Sequence, residues 1–374
     1  HIILTGGTDT AQSIARTNPS TPLSAETGGK NAIILTASGD RDHAIMNIVA
    51  SAFGNAGQKC SACSLLLVER SVYEDKNFQD KLKDAATSMK VGSVWEAGNV
   101  VGPMITNRND KLLQALTLEP GESWLVPPKF IDEKQYILAP TVKWGVKPGS
   151  YSFRTELFGP MLSVACIDNL QQGIELVNSL DYGLTSGLQS LDENEQKLWK
   201  NSILAGNLYI NRGITGAIVN RQPFGGMKLS AFGGGVKAGG PNYCACLVKI
   251  TDKPESNTDY KQSYPHVYEE EFAHARDINK LYGEQNAFRY LPLKNMVLRL
   301  FPGDSNEEAE MIALAAKLCH TPLTISFAPN DDRTTALSST GCTLKKETFD
   351  EFLKTMRTYE RIRTCGADIP MEMY

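Results

Sequence analysis

Asn55-Ala56-Gly57-Gln58-Lys59-Cys60-Ser61-Ala62 stands between two contrasting patterns. Before it, Ile45, Ile48, Val49 and Ala52 recur at helical spacing and predict a helix near residues 41–56. After it, Leu65-Leu66-Leu67-Val68 is a short apolar run of the kind that parallel sheets bury on both faces. Helix, small-residue turn and buried strand repeat outward from there. Ala32 to Leu35 is a second apolar run, introduced by Gly28-Gly29-Lys30, and Ile2 to Thr5 is another, followed by Gly6-Gly7-Thr8 and a short helix through Ala15. Downstream, an amphipathic helix is expected over residues 73–90, and two more over 168–180 and 192–204, each closed by a glycine. Strands alternating with helices predict an α/β fold with an open twisted sheet.

The composition changes near residue 220, where Gly225, Gly226, Gly233, Gly234, Gly235, Gly239 and Gly240 mark a long loop suited to close approach. Tyr243 to Ile250 reads as a strand, and the polar stretch 252–265, with Pro254 and Pro265, as a linker. A separate unit starts near residue 285. It holds a strand from Met296 to Phe301, a Pro302-Gly303 turn, a helix from Glu307 to Cys319 capped by Ser305 with Glu308 three residues on, and a strand from Leu323 to Phe327. That is one βαβ unit, and a basic helix from Lys346 to Arg363 follows it.

A net charge of −4 gives no reason to expect nucleic acid or an anionic membrane as a partner. No apolar run reaches the ~18–20 residues that span a bilayer. The eight cysteines are scattered without regular spacing, which points to free thiols in a reducing, cytoplasmic setting. The chain opens inside an apolar run, His1-Ile2-Ile3-Leu4, with no initiator Met, which reads as a fragment of a longer protein.

Taken alone, Cys60 is better explained as a small core residue than as a nucleophile. Cys60 and Cys63 form a C-x-x-C, but zinc would need a second pair or nearby histidines, and His1, His43, His266, His274 and His320 make no cluster, so no metal is expected. The segments read together say more. Glu26-Thr27-Gly28-Gly29-Lys30-Asn31, then the Cys60 turn, then Glu156-Leu157-Phe158-Gly159-Pro160, then Pro223-Phe224-Gly225-Gly226 occur in the order and at roughly the separations found in the aldehyde dehydrogenase superfamily, which residues 1–250 resemble.

The resemblance implies roles. Cys60 matches the thiol that attacks the aldehyde, and Glu26 the general base. Glu156 matches the carboxylate that binds the nicotinamide-ribose hydroxyls, Phe158 the ring beside the nicotinamide, and Gly6, Gly7 and Thr8 the turn at the cofactor pyrophosphate, so NAD is the implied cofactor. It also implies a division into residues 1–25, a remnant of a Rossmann-type cofactor domain; 26–235, the catalytic thiol domain; 236–252, an oligomerisation-type strand; 253–284, a linker; and 285–374, a C-terminal α/β extension.

Ser61, directly after the nucleophile, and Ile214-Thr215-Gly216-Ala217-Ile218-Val219, ahead of Phe224, are similar to L-glutamate γ-semialdehyde (Δ1-pyrroline-5-carboxylate) dehydrogenases. In that subfamily Ser61, Gly216 and Ala217 would hold the substrate's α-carboxylate and amino group, with Phe224 beside them. The cysteine region and the tail, with Phe288-Arg289-Tyr290-Leu291-Pro292, resemble the dehydrogenase part of bifunctional proline utilisation proteins of proline catabolism. The implied protein is a homo-oligomer acting on a small molecule. FAD, and any peripheral membrane association, would belong to an upstream proline dehydrogenase part. The family's oxyanion-hole Asn and adenosine-ribose Lys would also lie upstream, so the fragment alone is expected to turn over little. An aldehyde dehydrogenase of another substrate class, or an inactive scaffolding fragment, remains the alternative reading.

Overall fold

The computed structural model describes residues 1–374 apart from 107, 108, 133, 135, 220, 249–258, 367, 368 and 374. The chain divides into two units, His1–Val248 and Lys249–Tyr374.

The first unit is built on a seven-stranded sheet. Its strands run in the order Asn207–Ile210, Thr185–Gln189, Asn31–Leu35, Cys63–Glu69, Met161–Ile167, Thr141–Trp144 and Ser123–Val126. The first six are mutually parallel and the last is antiparallel. Side chains alternate across a strand, so successive residues feed two cores. Ile33, Leu35, Leu66 and Val68 pack with Ile48 and Phe53 of the helix Arg41–Phe53 and with Phe78 and Leu82 of the helix Lys76–Thr87. Ala32, Ile34, Leu65 and Leu67 pack with Leu170, Ile174 and Val177 of Leu170–Asn178 and with Trp199 of Glu193–Ser202. Burial on both faces explains why these strands read as continuous apolar runs. The helix expected over 73–90 is broken, because Asp75 turns its carboxylate onto the Asn77 N–H and starts a new helix there.

A small second sheet carries the start of the chain. Ile2–Thr5 pairs parallel with Leu23–Glu26, which pairs antiparallel with Ala231–Phe232 from the glycine-rich segment. The strand expected from Tyr243 to Ile250 is not formed among its described residues. Tyr243–Leu247 is a 3₁₀ helix, and a strand pattern without a neighbouring ladder cannot satisfy its backbone as a strand. Residues 249 and 250 lie outside the described residues.

The second unit is a four-stranded parallel sheet in the order Thr343–Lys346, Leu323–Phe327, Met296–Arg299, Arg361–Arg363. The expected βαβ unit is there, with Ser305 capping the helix Asn306–Leu318. The single basic helix from Lys346 to Arg363 is not. A strand ends at Lys346, a capping box of Thr348 and Glu351 opens a helix over Phe349–Thr355, and Arg361–Arg363 is the edge strand. Charged residues suit edge strands, which disguised both from a helical pattern. Within the stretch read as a linker, Asp259 caps a helix, Tyr260–Val267, that holds Pro265 in its last turn. Buried Arg299 donates to Ser326 Oγ and Glu347 O, and its guanidinium lies over the rings of Phe301, Phe349 and Phe352. Among the described residues no helix is long and apolar enough to cross a membrane.

One ion pair locks the antiparallel edge of the large sheet. Lys143 Nζ lies 2.9 Å from Glu122 with both side chains buried, and donates to Thr117 O and Ser152 Oγ. Removing one partner strands a buried charge, so Glu122→Ala should cost about 3–5 kcal/mol, read as a fall in the denaturant midpoint. A change under about 0.5 kcal/mol, the size of a surface substitution, would refute that account.

Candidate functional site

The strands Asn31–Leu35, Cys63–Glu69, Met161–Ile167 and Thr185–Gln189 all begin at one edge of the large sheet. The expected site residues gather at these amino ends, whereas open parallel sheets more often bind ligands at the carboxyl ends. The helix Arg41–Phe53 ends into Asn55, Ala56 and Gly57, three consecutive residues with positive φ (57°, 52° and 66°). Gly57 has no room for a Cβ, which would run into the carbonyl of Gly159. This reversal sends the chain into the turn Lys59–Ala62, closed by the Ala62 N–H donating to Lys59 O at 2.9 Å, with Cys60 at its crest.

Asn31 holds that turn. Its Nδ2 donates to Cys60 O at 2.7 Å and Ala62 O at 3.0 Å, while its Oδ1 accepts the Thr185 N–H at 3.0 Å. Thr185 Oγ1 adds a bond to Ser61 O at 3.4 Å. Ser61 is buried, Cys60 half-buried and Cys63 sealed, with burial pushing the Cys63 thiol to about 12. The two cysteines of the C-x-x-C are thus unlike: one reachable, one inert. No group of three or more His, Cys, Asp or Glu among the described residues is placed to hold a metal.

Two carboxylates lie near enough to raise the pKa of the thiol, Glu156 more than Glu26. Glu156 Oε1 accepts the Gly29 N–H at 2.9 Å, and a Cβ on Gly28 would collide with the Glu156 carboxylate, so the glycine pair lets the acid lie flat on the backbone. Burial raises the Glu156 pKa, partly offset by Gly29, Lys111 and Lys30. Glu26 ends the strand Leu23–Glu26. Burial lifts it from 4.5 to about 7, against the pull of the Gly226 N–H and the charge of Lys237, and its Oε2 is buried without a hydrogen-bond partner. The Cys60 pKa is itself raised, chiefly by burial and also by Glu156 and Glu26, while the N–H groups of Ser61 and Cys60 act the other way. Beneath them, buried Lys30 donates to Ser64 O at 3.3 Å, and desolvation brings it down to about 7.

The remaining expected residues flank this centre. Phe158 is partly exposed at a positive φ of 48°, and with Gly29, Gly57 and Glu156 it lines a small crevice. Gly6 and Gly7 are exposed at the start of the helix Thr8–Thr17, whose first turn has no side-chain cap. The Gly6 N–H donates to Glu26 O at 3.1 Å, which ties this turn to the strand Leu23–Glu26. Phe224 exchanges two 3.0 Å backbone bonds with Ala238. Gly216 and Ala217 lie in an open loop anchored where the Ile214 N–H donates to buried Ser51 Oγ at 3.0 Å. No hydrogen bond joins either of them to Cys60. Sequence reasoning gave no role to Asn31, although it lies in the quoted glycine segment, nor to Lys237. An amide next to Gly-Gly-Lys signals nothing until its three backbone partners are folded around it.

The aldehyde dehydrogenase family model matches residues 1–251. The 1-pyrroline-5-carboxylate dehydrogenases of Geobacillus kaustophilus (strain HTA426) and Staphylococcus haemolyticus (strain JCSC1435) are each 36% identical, over 221 and 224 residues. Each alignment takes in 59% of this chain and 42% of the relative, so the chain spans about two-fifths of their length. Proline Utilization A (PutA) from Corynebacterium freiburgense is similar over 93% of this chain and 39% of that one, at 38% identity and a TM-score of 0.79. The 1-pyrroline-5-carboxylate dehydrogenase from Thermus with bound NAD is 32% identical over 65% of this chain and 48% of its own, with a TM-score of 0.60.

Asn31→Leu would leave two carbonyls and one N–H unpaired in a buried turn. A loss of about 1–3 kcal/mol is expected, with slower alkylation of a displaced Cys60. Unchanged stability and thiol reactivity would rule out the clamp.

Proposed function

The chain belongs to the aldehyde dehydrogenase family, and on that premise we propose that the protein oxidises L-glutamate γ-semialdehyde to L-glutamate with NAD⁺, as a step of proline breakdown. The observation that carries the proposal is a half-buried thiol at a clamped turn, with two carboxylates near it, of which one titrates near neutrality. Similarity to 1-pyrroline-5-carboxylate dehydrogenases and to a proline utilisation protein supports the choice of substrate.

The raised thiol pKa means that Cys60 rests protonated at neutral pH, so its attack needs a base. Glu26, at about 7, is matched to that task, because a base works best with its pKa near the operating pH. It takes the thiol proton as Sγ adds to the aldehyde carbon. Gly6, Gly7, Thr8, Glu156 and Phe158 would hold NAD⁺, which when bound supplies the hydride acceptor that turns the adduct into a thioester. The fit is physical, since the start of the helix Thr8–Thr17 has no side-chain cap and its first N–H groups can receive phosphate, while a partly exposed ring offers an apolar face. Glu26 then takes a proton from the water that cleaves the thioester, which frees the acid and restores the thiol. Ser61 and the Gly216–Ala217 loop would bind the substrate's charged end through short side chains and backbone N–H groups, with Phe224 along its carbons.

In the whole protein, Cys60→Ala should lower NADH formation by about a thousandfold or more. Because Glu26 must be ionised, kcat should rise with pH through about 7, and Glu26→Gln should abolish that limb. Simple aliphatic aldehydes serving as well as glutamate semialdehyde would overturn the substrate assignment while leaving the chemistry standing.

A further inference from the structure

The glycine-rich segment pairs with the strand Leu23–Glu26 through Ala231–Phe232 and then returns to the same place with Lys237. Lys237 Nζ donates to Gly206 O and, at 3.3 Å, to Asn207 Oδ1. Asn207 Oδ1 also accepts the Gly225 N–H at 3.2 Å, and its Nδ2 donates to Pro223 O at 3.0 Å. A Cβ placed on Gly225 would lie 2.9 Å from Glu26 Oε1 and 3.0 Å from Lys237 Cγ, so the carboxylate and the lysine stem close on one point of the backbone. An ammonium has three protons, and these two acceptors use two of them.

We propose that Lys237 is a positioning residue for Glu26: its tethered ammonium holds the base as a carboxylate inside a desolvated site, and the same tether keeps Gly225 against it. The inference rests on Glu26 acting as the base. The groups that face Glu26 are Lys237, the Cys60 thiol and the Gly226 N–H. Burial lowers Lys237 and raises Glu26, and each charge offsets part of the other's desolvation. Without the cation, desolvation of Glu26 loses one of its two opponents and the carboxyl stays protonated to higher pH.

The test is the pH profile of kcat for NADH formation by the whole protein. Lys237→Met should move the rising limb up by about one pH unit, giving about tenfold less activity a unit below the native limb and little change well above it. Lys237→Arg, which keeps the charge, should leave the limb in place. Should Lys237→Met not fold, Lys237→Gln retains hydrogen bonding without charge and must move the limb equally. A loss of the same factor at every pH would make Lys237 a packing residue and overturn the proposal. Glu26→Gln separates the two readings. A limb abolished there but unmoved in Lys237→Met overturns the lysine alone, whereas a limb that survives in Glu26→Gln overturns the base and the lysine's role with it.

Discussion

Three bonds from one buried amide organise the site. Asn31 begins a central strand, and its side chain reaches sideways to the cysteine turn on one neighbouring strand and to the first residue of the other. The turn cannot move without breaking the registration of the sheet, so the thiol inherits the rigidity of the core. The sheet in turn is fixed by two packed faces, each drawing on alternate residues of the same strands. Stability and the placing of Cys60 therefore share one framework, and the cysteine turn is tied to strand ends.

Glycine provides the second constraint. At Gly28 and Gly57 a side chain would meet Glu156 or the Gly159 carbonyl, so the acid and the cysteine turn approach the backbone as closely as atoms allow. This closeness also explains the electrostatics. Groups packed without water have raised acid pKa values, as Glu26, Glu156 and Cys60 do, and lowered lysine values, as Lys30 and Lys237 do.

The buried strands were legible in the sequence because burial on both faces leaves an uninterrupted apolar run, as at Ala32–Leu35 and Leu65–Val68. The helix breaks were harder, since Asp75 and Thr348 act through single capping bonds that a hydrophobic period does not register. Edge strands such as Arg361–Arg363 carry charge and look like helix or loop. Resemblance singled out Cys60, Glu26, Glu156 and Phe158 as candidates, but not Asn31 or Lys237, whose hydrogen bonds go to backbone groups distant in sequence.

The direction from which the chain enters the Cys60 turn has a consequence for the resting thiol. Thiols kept permanently ionised usually sit at the amino end of a helix, where the dipole is positive. Cys60 instead follows the carboxyl end of the helix Arg41–Phe53, through the left-handed Asn55–Gly57 reversal. Burial raises its pKa, which keeps the resting side chain a thiol and so a poor target for peroxide and stray electrophiles.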